Sequence, residues 1–278
     1  MTVSQYKRHR KYARFLFDRA RYLSQISTRR NVLSFSHGFP SSGHVMVKIC
    51  DALNIRISNT LLSPGSATIF FPLTDDIYPR QPDHFINGRC TNIDKDVVAD
   101  YQLQAFGYGY TVDPLNVTGH YVRKSIRNAA HDGCILYEPE IPKHGFFYQK
   151  LICTEVGDEV EEIRVLVIGT VLDICYLKRH PLSERFAIPS NSVQILPTRS
   201  LLSQEEVDAI CRMCAMIGME YGEIDVMRDR NNGLAYVIDM NRTPGGPPIA
   251  FTRSERDGVV KRLAEAFTSE FGKRILDI

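Results

Sequence analysis

No apolar run in this chain approaches the length that crosses a bilayer, and its first residues carry no apolar core of a secretory signal, so a cytoplasmic protein is the expectation. Internal repeats and low-complexity tracts are also lacking across the 278 residues, and the charged (24%) and apolar (44%) fractions are ordinary, which excludes wholesale disorder. Cysteines at 50, 90, 134, 153, 175, 211 and 214 are odd in number and sit mostly inside apolar segments, which favours reduced, buried thiols over a disulfide framework. Cys211-Arg-Met-Cys214 has the spacing of a metal or redox pair. It has no second Cys or His pair nearby and lies within a helical pattern, so its role is packing.

The charge, nearly balanced overall, is concentrated at one end. Residues 1–30 hold Lys7, Arg8, Arg10, Lys11, Arg14, Arg19, Arg21, Arg29 and Arg30 against Asp18 alone, while Tyr12, Phe15, Leu16, Ala20, Leu23 and Ile26 recur at helical spacing. A basic amphipathic helix is expected there. Three readings fit it: a helix docked on the body with a solvated basic face, an anionic membrane surface or nucleic acid as partner, or an Arg-rich presequence. Its apolar stripe would also suit a homodimer interface.

Asn31 to Ser36 reads as a strand, the loop His37 to Gly43 as a connection, and His44 to Leu53 as a helix, with a further strand at Ala67 to Pro72. This short β-α-β lobe is assigned residues 31–90. A glycine-bearing loop entering a helix can hold an anion, but this one matches neither a Walker loop nor a dinucleotide fingerprint, so it reads as a tight connection. A helix begins at Ile93 or Asp94 and ends at Gly107 or Gly109. From His120 strands follow one another to Arg179, the spacing of an antiparallel sheet. Ser203 and Glu206 form a capping box that opens a helix running to about Met219, and a closing helix spans about Ser254 to Phe271. The expected class is α+β, with a central lobe at 91–155 and a C-terminal lobe at 156–278.

The chemistry concentrates in Gly222 to Gly246. Two apolar strands flank a polar turn at Asp229 to Gly233, so they can return antiparallel and set Asp225 opposite Asp239. Alternation then puts Asp239 and Asn241 on one face and Tyr236, Ile238 and Met240 on the other. Two carboxylates and an amide oxygen make a hard site. Magnesium suits it, keeping some waters and taking its remaining ligands from substrate phosphates.

In their order along the chain these segments resemble the ATP-grasp superfamily, the group of D-alanine:D-alanine ligase, glutathione synthetase and the ribosomal-protein glutamate ligases, over about residues 90–250. The resemblance implies two α+β lobes with antiparallel sheets that grip ATP. It matches Lys95 and Lys124 to phosphate-binding lysines and 127–133 to a lid loop. Gln149, Lys150, Leu151 and Ile152 match the adenine hinge, and either Glu161 or Glu162 matches the acid that binds ribose. Lys178 and Arg179 stand where a phosphate- or substrate-binding group is common, Arg164 completes a family pattern, and Asp225, Asp239 and Asn241 match the magnesium triad. Glu223 is a departure, since amino-acid ligases often carry an arginine there to steady the transferred phosphoryl group. Arg179, Arg242 or Arg164 can replace it, or Glu223 can serve as a base or an added metal ligand.

The function so implied is an ATP-dependent ligase that joins a carboxylate to an amine through an acylphosphate, with ATP and Mg2+. Two alternatives stand beside it: a kinase acting on a hydroxyl, which Glu223 could activate, and a non-catalytic nucleotide-responsive module engaging nucleic acid or an anionic surface through residues 1–30.

Overall fold

The computed structural model describes residues 31–38, 40–59, 67–72, 77–127, 130, 132–186 and 192–275, and the expected basic helix over 1–30 lies outside them. In chain order the elements begin with β1 (Val32–Ser36), α1 (Val45–Ala52), β2 (Arg56–Ser58), β3 (Ala67–Phe70) and α2 (Lys95–Phe106). Next come β4 (Tyr121–Ser125), β5 (Cys134–Leu136), β6 (Phe146–Lys150), β7 (Glu155–Val156), β8 (Glu159–Ile168) and β9 (Thr170–Pro181). After these are β10 (Ser192–Pro197), α3 (Gln204–Ile217), β11 (Tyr221–Arg228), β12 (Ala235–Asn241) and α4 (Arg253–Ile275), with short helical turns at Leu182–Glu184 and Thr198–Leu201. No described helix is long and apolar enough to cross a membrane.

The described residues form two compact units, one within 31–72, 83–86 and 243–275, the other within 77–82 and 87–242. In the first, β1 lies between β2 and β3 in a parallel sheet. Sequence pattern had suggested one β-α-β turn; the short β2 adds a strand. Leu33, Phe35, Ile57 and Ile69 are buried in this sheet, α1 buries Val45, Met46, Val47, Ile49 and Cys50, and α4 packs on α1. Residues 243–275, which sequence boundaries place with 156–242, thus join this unit. Where the glycine-bearing loop meets α1, the Val45 N–H donates to Pro244 O at 3.2 Å, and Gly246 N–H donates to Gly43 O at 3.1 Å.

The second unit holds two antiparallel sheets, in line with the expected two-lobed α+β class. The smaller has the order β5-β4-β6, the larger β10-β9-β8-β11-β12 with β7 on β8. Helices α2 and α3 cover one face of the larger sheet, packing Val98, Ile210, Met213, Cys214 and Ile217 on Ile163, Val165, Cys175, Ile224, Val226, Val237 and Met240. Local signals set both helices. Ser203 Oγ accepts from Glu206 N–H while the Glu206 carboxylate accepts from Ser203 N–H, the full capping box, and α3 ends at Gly218 (φ 79). Helix α2 ends at Gly107 (φ 77). All seven cysteines are free thiols.

Strand β12 is an edge of the larger sheet, and α2 covers its rim. Gln102, fully buried, accepts from Val237 N–H at 3.0 Å through Oε1 and reaches Ala235 O at 3.5 Å through Nε2. The Tyr108 hydroxyl donates to the same carbonyl at 3.0 Å.

Candidate functional site

With helices on one face of the larger sheet, its other face carries the charge. Register aligns it: Arg164 on β8 pairs with Tyr176 on β9 and with Asp225 on β11, and Asp225 pairs with Asp239 on β12. Glu162 pairs with Lys178, and Glu223 pairs with Asn241. The opposition of Asp225 and Asp239 is as the sequence pattern indicates. The alternation along β12 is not. A β-bulge at Asp225/Val226 shifts the register, so Tyr236 and Ile238 join one cluster with Ala99, Tyr110, Phe147 and Ile152, while Met240 joins Val237 in the other.

Arg164 organises one half of the charged row. Its Nε and Nη2 each donate to a separate oxygen of Asp225 at 2.7 Å, Nη1 lies 3.3 Å from Glu223, and Nη2 lies 3.8 Å from Glu162. Lys178 donates to Glu162. Burial opposes ionisation of Asp225, but Arg164 and Lys178 outweigh it and hold the carboxyl down at about 2. Burial, with the charge of Asp225 adding to it, pushes Glu223 up to about 7 despite Arg164.

Asp239 has a different setting. Its described hydrogen bond is from Met240 N–H at 3.1 Å, and among the described residues no cation contacts it. Burial pushes it up to about 6; Lys95 and Lys124 act from a distance to lower it, and Asp225 raises it. Lys124 responds in kind. Burial and the neighbouring Lys95 bring it down to about 8 against the pull of Asp239. Its Nζ lies 3.4 Å from Ile238 O and 5.8 Å from the Phe147 ring centroid. Lys95 opens α2, is 8% exposed, and donates to Arg127 O at 2.6 Å, which ties it to the start of the expected lid loop.

At the expected adenine hinge, Gln149 is buried and its Oε1 has no hydrogen-bond partner among the described residues. Ile152 is 2% exposed beside Phe147 and Ile238, and Leu151 is half-buried. Lys150 is held by Asp229 and Tyr236.

Other candidates separate from the row. Strand parity turns Glu161 and Arg179 to the face away from Glu162, and there Arg179 donates to Glu161 at 2.7 Å while Arg230 takes the second Glu161 oxygen. Arg242, 2% exposed, donates to Cys90 O at 2.9 Å and lies 5.6 Å from the Tyr78 ring centroid. Of the three arginines proposed to stand in at the Glu223 position, Arg164 is the one in the row.

The oxygen set fits a magnesium ion. Asp239 is a half-buried carboxylate without a contacting cation among the described residues, opposite Asp225 and next but one to Asn241, and withdrawing such a group from water is costly until a cation reaches it. Among the described residues no three His, Cys, Asp or Glu side chains form a metal cluster. Two features escaped the sequence reading. A Cβ at Gly222 would stand 2.6 Å from Asn241 O, so glycine lets β11 lie against the end of β12. Tyr110, 2% exposed with a hydroxyl lacking a described partner, is close enough to feel the charge of Asp239. Neither has a sequence signal, because both depend on register.

No protein-family model and no curated protein matches this chain. Solved structures do. The ATP-grasp ligase PsnB complexed with a minimal precursor, Mg and ADP aligns with a TM-score of 0.56 at 13% identity, covering 87% of this chain and 98% of that one. D-alanine–D-alanine ligase from Bacillus anthracis complexed with ATP aligns with a TM-score of 0.53 at 16% identity, covering 88% of this chain and 99% of that one. At such identities the likeness is one of fold.

Proposed function

The chain has the ATP-grasp fold, and from that premise and its charged row we propose an ATP-dependent ligase that joins a carboxylate to an amine through an acylphosphate. The observation that carries this reading is the unlike pair Asp225 and Asp239, opposed on β11 and β12 beside Lys95 and Lys124. Gln149 offers its unpaired Oε1 to the exocyclic amine of adenine, with Leu151 and Ile152 as an apolar wall. Glu162 takes the ribose hydroxyls. Lys95, Lys124 and Lys178 face the phosphates, and Arg164 keeps Asp225 ionised and aligned. Asp225, Asp239 and Asn241 would hold a magnesium ion, whose part is to offset charge on phosphate oxygens.

A carboxylate oxygen of the substrate attacks the γ-phosphorus, the bond to the β-phosphate oxygen breaks, and ADP leaves. The amine nitrogen then attacks the acyl carbon, phosphate departs, and the nitrogen loses a proton.

Glu223 favours a second reading. A buried carboxyl raised to about 7 is suited to accept a proton from a hydroxyl, which would make the reaction phosphoryl transfer to an alcohol. One assay separates the two: purified protein with ATP, magnesium, pooled carboxylic acids and peptides, and hydroxylamine, with products read by mass spectrometry. ADP with a hydroxamate is expected for the ligase. A phosphorylated product stable to hydroxylamine would replace it with the kinase, and no ADP above a protein-free control would remove both.

A further inference from the structure

Lys150 is the nucleotide candidate whose surroundings fit that role least. Its Nζ donates to Asp229 Oδ2 at 2.8 Å and to the Tyr236 hydroxyl at 2.6 Å, and lies 4.0 Å from the Tyr236 ring centroid. Both partners are withdrawn from water, Asp229 at 3% and Tyr236 at 2% exposure. They are fixed in turn. The other Asp229 oxygen accepts from Asn231 N–H at 3.0 Å, and the Asn232 side-chain amide donates to the Tyr236 hydroxyl at 3.2 Å. A second tie runs alongside, from Arg230 N–H to Cys153 O at 2.8 Å.

These bonds span two sheets. Lys150 ends β6, a strand of the small sheet that pairs with β4 and so with Lys124; Asp229 and Tyr236 belong to the β11–β12 hairpin that carries Asp225 and Asp239. The segment Lys150–Cys153 is therefore stapled at two points to the hairpin turn, with Leu151 and Ile152 between the staples. An ammonium so placed has two of its three N–H groups in use and its charge compensated. Moving it to a nucleotide would strand the Asp229 carboxylate without its cation, a costly exchange in a buried site.

We infer that Lys150 is a positioning residue and not a nucleotide contact: with Asp229 and Tyr236 it clamps the exit of β6 to the β11–β12 turn and so sets the adenine wall against the acid row. The inference rests on the ATP site proposed above and specifies how one residue serves it.

The test is calorimetric binding of ATP with magnesium to the full chain and to Lys150→Met, Asp229→Asn, the double variant, Lys150→Arg and Tyr236→Phe. If the unsubstituted protein binds no ATP, the ATP-site reading fails and this inference falls with it. Where it binds, the clamp predicts that Lys150→Met and Asp229→Asn each weaken affinity by about tenfold, and that the double variant is no weaker than the worse single. Lys150→Arg should recover most of the loss. Wild-type affinity in Asp229→Asn beside a loss in Lys150→Met would mean direct contact and overturn the clamp, as would additive losses or no loss in either. Should Asp229→Asn fail to fold, Tyr236→Phe decides: a roughly threefold loss is expected from removing one acceptor, and unchanged affinity overturns the inference.

Discussion

Asp225 and Asp239 are the same residue type, directly opposed in one ladder, yet one is held at about 2 and the other pushed to about 6. The difference lies in the company each keeps. Asp225 has both oxygens on Arg164, whose guanidinium also reaches Glu223 and Glu162, so that half of the row is compensated within the chain. Asp239 has two lysines that act at a distance and no contacting cation among the described residues. One half of the row is complete as folded, and the other gains from an added cation. A carboxylate that needs a visitor marks where ligand chemistry belongs better than one already satisfied.

The largest expected effect comes from removing the unsatisfied member. Asp239→Asn should lower magnesium-dependent ATP turnover by at least about a hundredfold while leaving the melting temperature equal or higher, since it deletes a half-buried charge that no cation contacts among the described residues. Turnover near the wild-type rate would end the magnesium assignment. Breaking the satisfied half should instead cost stability. Arg164→Met leaves Asp225, Glu223 and Glu162 facing one another, and roughly 3 kcal/mol should be lost in denaturant unfolding.

Acidity sharpens the contrast without any substitution at Arg164. Asp239 is raised from an ordinary 3.8, so between about pH 4 and 6 the folded chain holds more protons there than the unfolded chain, and its contribution to stability falls as pH rises through that window. Asp225 is lowered, so its contribution is present above 3.8 and is lost as pH falls toward about 2. In magnesium-free buffer, wild type should lose on the order of 2 kcal/mol from pH 4 to pH 7 relative to Asp239→Asn. Parallel curves for the two proteins would contradict the environment described for Asp239. The smallest effect is thermal: millimolar magnesium alone should raise the wild-type melting temperature by about 2 °C and leave Asp239→Asn unmoved.

Much of this contrast was legible in the sequence and part of it was not. Polar turn composition between two apolar strands was enough to oppose Asp225 to Asp239, and the Ser203–Glu206 box and Gly107 marked helix ends, because each signal is local. Anything that depended on parity across strands was out of reach. Glu161 and Glu162 are adjacent, as are Lys178 and Arg179, and only the β8–β9 register decides that Glu162 and Lys178 face the row while Glu161 and Arg179 turn away. The bulge at Asp225/Val226 likewise has no signature in AYVIDMN, yet it sends Ile238 and Met240 to different clusters. The ties of Lys150 to Asp229 and Tyr236 join residues about eighty positions apart. The Arg164 clamp spans sixty-one, and spacing along a chain cannot announce such pairs.

Gln102 has a further consequence for how the molecule behaves in crowded solution. An edge strand invites another chain to add itself, and Val237 N–H and Ala235 O are the rungs on which a newcomer to β12 would climb. The side-chain amide of Gln102 has the donor and acceptor of a peptide group and occupies both rungs, so the sheet ends at a helix where it could have continued into a neighbour. The strand bearing Asp239 and Asn241 is thereby kept from polymerising with its own kind.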